Sequence, residues 1–136
     1  MALTIEQKKK IHDFIGNFSE TVKRESWISS YDTDIDSMSF RLPVLSKDAE
    51  KRYLGDEFAF YLTAKNEVQG IFIEYFLANF VAHHKDMKDL KEEIGREVKG
   101  RKQNESRVVI QLEAKETRKM IPELQNALIK TLLPTR

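Results

Sequence analysis

Between Trp27 and Ala82, apolar residues first recur at every second position and then run almost unbroken. Met38, Phe40 and Leu42 fall on one face of a predicted strand, and Phe58, Phe60 and Leu62 on one face of another, because side chains alternate across an extended chain. Ile71, Phe72, Ile73, Tyr75, Phe76 and Leu77 follow with little polar interruption. Such a run predicts burial on both faces or passage into a helix. Upstream the period changes. Ile11, Phe14, Ile15, Phe18 and Val22 are spaced by threes and fours, which predicts one apolar stripe on a helix over residues 4–25, with the Thr4 hydroxyl placed to cap its first turn. Gly16 lies inside that helix and costs about 1 kcal/mol relative to alanine, so a close contact with another element is expected there.

Strands are predicted at Trp27–Tyr31, Ser37–Leu42, Glu57–Ala64 and from Val68 to about Tyr75. Asp32-Thr33-Asp34 turns the chain between the first two. Pro43 ends the second by removing a ladder donor, and Lys65-Asn66-Glu67 closes a hairpin. Residues 44–56 read as a charged connection ending in Gly55-Asp56. From His83 a second helix carries the narrow stripe Met87, Leu90, Ile94 and Val98 and stops near Gly100. Val108, Ile110 and Leu112 alternate in a fifth strand, and a closing helix carries Met120, Ile121, Leu124, Ala127, Leu128 and Leu132. Pro122 lacks the N–H that a helix interior requires, so it is expected in the first turn, with Lys115–Met120 as a looser approach. The expected fold class is α+β: helix, antiparallel four-stranded meander, helix, fifth strand, helix. One domain spans residues 1–136, made of an N-terminal helix (1–25), a sheet-and-helix core (26–100) and a β-α arm (101–136) behind a basic stretch at 100–106.

At 136 residues with 40% hydrophobic content, the chain can bury a real core and is ordinary for a globular protein. Its formal net charge of +1 supplies no long-range pull toward nucleic acid or anionic lipid. Without cysteine, disulfides, thiolate nucleophiles and sulfur-ligated metals are excluded. The longest apolar stretch, Ile71–Val81, is interrupted by Glu74 and Asn79 and is too short to span a bilayer. Met1–Lys10 lacks the apolar core of a secretory signal. A cytoplasmic protein with no membrane partner is the expectation.

The string from Tyr31 to Leu42, with its Tyr-Asp turn, spaced Asp34 and Asp36 and a strand ending Arg41-Leu42, resembles the opening of a small bacterial domain of unknown function. Val68-Gln69-Gly70-Ile71-Phe72-Ile73 is similar to that family's Val-x-Gly-Ile-x-Ile strand, so the likeness covers about residues 28–80. The long N-terminal helix and the helix-strand-helix extension depart from the family pattern. Members resemble non-enzymatic modules, some beside small toxins in antitoxin-like arrangements. The resemblance therefore implies an interaction module and carries over no catalytic residue.

Residue chemistry points the same way. Asp32, Asp34 and Asp36 have the alternating spacing of a calcium loop, but Ser37 and Pro43 stand where its glycine and closing glutamate belong, which leaves a turn. His83 and His84, near Asp86, diverge on a helix and do not make an i, i+4 metal face, and His12 is remote. His83 is expected half-buried beside Met87. No serine sits in an activating context and no glycine-rich loop is present to cradle phosphate. No cofactor, metal or catalytic residue is assigned, and a non-enzyme is expected. Arg96, Lys99, Arg101, Lys102 and Arg107 form the best cationic patch, a candidate for phosphate contacts, although no aromatic is interleaved for base stacking. Aromatic density is the remaining signal. Trp27, Phe72, Tyr75, Phe76 and Phe80 are the candidate partner-binding residues of a protein-interaction module, expected to be a homodimer and antitoxin-like in role. A nucleic-acid-binding regulator using residues 96–107, and a small chaperone for an exported or phage protein, stand as alternatives.

Overall fold

The computed structural model describes residues 3–54, 57–83, 88–101, 109–112 and 114–132. The chain enters its first helix through a reciprocal cap. Thr4 Oγ1 accepts the Gln7 N–H at 3.0 Å while Gln7 Oε1 accepts the Thr4 N–H at 2.9 Å, satisfying two otherwise orphaned donors. The helix does not run unbroken to residue 25. It divides into α1 (Ile5–Gly16) and α2 (Phe18–Arg24) at Asn17, whose φ of −113° leaves the helical range. The expected contact at Gly16 is absent, since a Cβ there would meet nothing within 4 Å. That glycine marks a helix end rather than a tight approach.

The end of α2 is built with unusual chemistry. Ser26 takes a left-handed φ of 52°, its N–H bonds the Lys23 carbonyl at 3.4 Å, and the Trp27 N–H bonds the Val22 carbonyl at 3.1 Å. This is the bonding pattern of a Schellman cap, in which glycine normally holds the left-handed position. It satisfies two terminal carbonyls and delivers Trp27 into the core, where its ring stacks on Phe14 with centroids 5.3 Å apart.

Six strands follow: β1 (Ile28–Asp32), β2 (Ser37–Arg41), β3 (Glu50–Leu54), β4 (Phe58–Leu62), β5 (Val68–Ile73) and β6 (Val109–Gln111). They form one antiparallel sheet in the order β3-β4-β5-β2-β1-β6. The α+β class holds, but the simple meander does not. After β2 the chain crosses to the far edge as β3 and returns through β4 to place β5 beside β2. The crossing loop is fastened to what it passes: Gln69 Oε1 accepts the Ser46 N–H at 2.8 Å, and Asp48 Oδ2 accepts the Ala64 N–H at 2.9 Å. Strand β3 lies inside the stretch read as a charged connection. Glu50, Lys51 and Arg52 mask its period, and charge is what an unpaired sheet edge carries to resist further pairing.

The register aligns Tyr31, Met38, Ile73 and Phe58 in one cross-strand row and Phe40, Ile71 and Phe60 in the next. These residues belong to one core cluster with Ile11, Ile15, Phe18 and Val22 of α1 and α2 and with Met120, Ile121, Leu124 and Leu128. The last four come from α4 (Ala114–Leu132), which holds Pro122 in its interior rather than in its first turn. An interior proline costs about 3 kcal/mol. Met120, Leu124 and Leu128 are fully buried and contribute about 1.5–3 kcal/mol each, so packing overrides the local preference. The arm is joined to the rest: β6 pairs with β1 at Tyr31–Ile110, and Ser29 and Thr117 share a buried hydroxyl–hydroxyl bond of 2.6 Å.

Beyond β5 the apolar run becomes a five-residue π-helix, Phe76–Phe80, and a 3-10 turn, Val81–His83. His83 therefore belongs to the 3-10 turn rather than to the next helix, and α3 spans Lys88–Arg101 among the described residues. Ile94 of its predicted stripe is buried; Met87 and the side chains of Leu90 and Val98 lie outside the described residues, as does Gly55-Asp56. No helix among the described residues is long and apolar enough to cross a membrane.

Candidate functional site

Every element that feeds the core cluster approaches the same face of the sheet. The other face carries two complete cross-strand rows. One reads Tyr53, Ala59, Phe72, Ser39, Ser30, Gln111, and the other Lys51, Tyr61, Gly70, Arg41, Ile28. None of these residues belongs to the core cluster. The core cluster lies on the opposite side, and on this open face Tyr53 and Gln111 are exposed, Lys51, Tyr61 and Arg41 half-buried, and Ala59 and Phe72 buried.

Its centre is assembled from side chains lying flat on one another. Lys51 Nζ stands 3.6 Å from the centroid of the Phe72 ring and 5.9 Å from that of Tyr61, a cation–π arrangement. The Tyr61 ring and the Arg41 stem close over bare backbone at Gly70, where a Cβ would fall 2.7 Å from each. Tyr53 Oη donates to Glu74 Oε1 at 2.9 Å. That bond, followed by burial and the carboxylate's charge, holds the Tyr53 phenol above its ordinary pKa. Arg41 turns its guanidinium back to the Leu42 and Pro43 carbonyls at 2.9 and 3.3 Å. The result is a surface of aromatic rings and charges of both signs.

The aromatic residues singled out in the sequence are mostly elsewhere. Phe76, Phe80, Trp27 and Phe72 have 0%, 1%, 5% and 6% of their surface exposed, which corrects the expectation that these four meet a partner: their side chains are packed within the chain itself. Phe76 and Phe80 stack with centroids 5.5 Å apart, because a π-turn brings residues four apart onto one side. Phe72 is on the sheet face opposite the core cluster but is buried there, with Lys51 over its ring. Tyr75 is 60% exposed at a left-handed φ of 51°. The Phe76 N–H bonds the Asp36 carbonyl at 2.8 Å, so Tyr75 stands at the same end of the sheet as exposed Ile35.

Asp36 holds this corner together. Its carboxylate accepts the Tyr31 hydroxyl at 2.6 Å and the N–H groups of Leu77 and Ala78 at 2.9 and 3.1 Å. Burial foremost, then the bond and charge of Asp36 and the charge of Asp32, push the Tyr31 phenol well above its ordinary pKa. Asp32 accepts the Asp34 N–H at 3.0 Å. The aspartate triplet is thus a turn and a clamp, and among the described residues no group of three or more His, Asp or Glu side chains could hold a metal ion. His83 is exposed rather than half-buried, with Nδ1 2.7 Å from the Asn79 carbonyl. His84 and Asp86 lie outside the described residues. Of the cationic patch, Arg96 pairs with Glu93 on α3. The side chains of Lys99 and Arg101, and all of Lys102 and Arg107, lie outside the described residues.

Lys51, Tyr53, Tyr61 and Arg41 are the site residues that sequence reasoning missed. The alternation of Lys51 and Tyr53 against Glu50 and Arg52 was their signal, concealed because both faces of that strand carry charge. Comparison with family models, with curated proteins and with solved structures yields no match.

Proposed function

We propose that this chain is a non-catalytic protein-interaction module that associates through the open face of its sheet, with a second copy of itself as the first occupant. The observation that carries the reading is the one-sided placement of the core cluster, which leaves Tyr53 exposed and Lys51, Tyr61 and Arg41 half-buried on the other face. Aromatic and arginine side chains are the groups that anchor protein interfaces. Lysine and arginine on this face, with Glu74 beside Tyr53, supply both partners of a self-complementary charge pattern. A net charge of +1 keeps two copies from repelling one another. Five strand spacings by five residues give a projected footprint of roughly 400 Å², below the roughly 800 Å² per partner of a standard interface. Association is accordingly concentration-dependent. The resemblance of residues 28–80 to non-enzymatic bacterial modules supports an interaction role, and an antitoxin-like protein partner would compete for the same surface.

Light scattering tests this. The wild type should gain mass from micromolar to millimolar concentration, and Tyr61→Glu, which places a charge at the centre of the face without touching the core, should stay monomeric. A wild type that is monomeric throughout, or a Tyr61→Glu protein that associates equally well, removes the proposal.

A further inference from the structure

A cavity of about 380 Å³ opens between α2, the start of β1, the end of β6 and the first turn of α4. That volume falls within the roughly 300–1,000 Å³ of small-molecule sites. Its apolar lining comes from Val22, Trp27, Phe40, Leu112 and Ile121, so a hydrocarbon body would be desolvated there. Lys23 and Arg118 also line it, and both are exposed. Neither forms an ion pair among the described residues. Glu25, two residues on from Lys23, accepts the Trp27 indole N–H at 3.0 Å, which leaves the rest of the indole as apolar wall. Thr117 adds a hydroxyl already bonded to Ser29 at 2.6 Å, leaving that pair one proton to donate. An apolar pocket with two cations at its mouth, neither of them ion-paired among the described residues, is complementary to an apolar ligand with an anionic head.

We infer that this cavity binds a small apolar carboxylate, its hydrocarbon body against Trp27, Phe40 and Ile121 and its carboxylate between Lys23 and Arg118. The cavity meets the open sheet face at Ile28 and Gln111, which line its edge, and binding there does not depend on the function proposed for that face.

Trp27 is the only tryptophan and reports occupancy directly. Titration of the full chain with decanoate, below its micelle-forming range, should change Trp27 emission saturably. Octanoate should bind about fifteenfold more weakly, at roughly fourfold per methylene buried. Decanol, with the same chain and no charge, should bind at least tenfold more weakly than decanoate, on the order expected for losing a charged hydrogen-bonded contact. The double variant Lys23→Gln, Arg118→Gln should bring decanoate down to the level of decanol with an unchanged far-ultraviolet circular dichroism spectrum. No saturable change in emission, equal binding of decanol and decanoate, or wild-type binding of decanoate by the double variant would each overturn the inference. The first two comparisons use the wild-type protein and stand whatever the variant's stability.

Discussion

Replacing Asp36 tests how the π-turn is held. The wild-type carboxylate accepts three hydrogen bonds, from Tyr31 Oη and from the N–H groups of Leu77 and Ala78, while its backbone sits at a left-handed φ of 50°. In Asp36→Ala the exposed Ala78 amide can turn to water, so its loss costs little. The Tyr31 hydroxyl lies in a buried residue, and leaving it unpaired costs about 1–3 kcal/mol. A Cβ-bearing residue without a local polar group adds about 1–2 kcal/mol in the left-handed region. Together Asp36→Ala should lose about 2–5 kcal/mol. Asp36→Gly removes the conformational part alone and should be more stable than alanine by about 1 kcal/mol. Asp36→Asn tolerates the left-handed backbone and retains one acceptor oxygen, so it should be the mildest of the three. Urea unfolding followed by Trp27 fluorescence gives all three values. A loss below about 1 kcal/mol for alanine, or a glycine variant no better than alanine, would refute the clamp as described.

Three further outcomes follow from other corners of the fold. Ser26→Gly relieves a left-handed serine at the end of α2 and should raise stability by about 1 kcal/mol in the same urea assay. Gly70→Ala forces a methyl group to 2.7 Å from Tyr61 and Arg41; it should lower stability by about 1–3 kcal/mol as an overpacking change and weaken self-association, both read against wild type by unfolding and light scattering. Tyr31 ionises near pH 10 in the unfolded chain and resists ionisation when folded, so its contribution is complete below that pH. Above it the unfolded state has released a proton that the native state still holds, and stability should fall by about 1.4 kcal/mol per pH unit from this group. Urea midpoints between about pH 9 and 11 check this: Tyr31→Phe should flatten the alkaline limb, and an unchanged slope in that variant contradicts it.

What could be read from the chain was whatever repeats with a period. Met38 and Phe40, Phe58 and Phe60, and the stripe from Ile11 to Val22 announced their elements because burial on one face imposes spacing on apolar residues. Strand β3 escaped notice because Glu50-Lys51-Arg52 puts charge on both faces of an edge. The break at Asn17 and the cap at Ser26 escaped because neither position carries the glycine that usually marks such geometry. Pro122 misplaced the start of α4, since its local preference is outweighed by the buried side chains around it. For the site the lesson is sharper. Phe76 and Phe80 drew attention by density, yet a π-turn folds them into the core, and nothing local in the sequence signals that turn. Asp36 reads from its spacing as part of a turn, and its bonds to residues 77 and 78 depend on tertiary structure. The open face became visible only once strand order placed Lys51 of β3 over Phe72 of β5.

Amide chemical shifts followed on dilution test, residue by residue, whether the open face is where two copies meet. From millimolar to micromolar concentration, shifts should move at Arg41, Lys51, Tyr53, Tyr61 and Phe72 and stay fixed at helix residues such as Lys8, Glu20 and Ile129. Shifts independent of concentration at all of these positions, or movement confined to the helices, would contradict it.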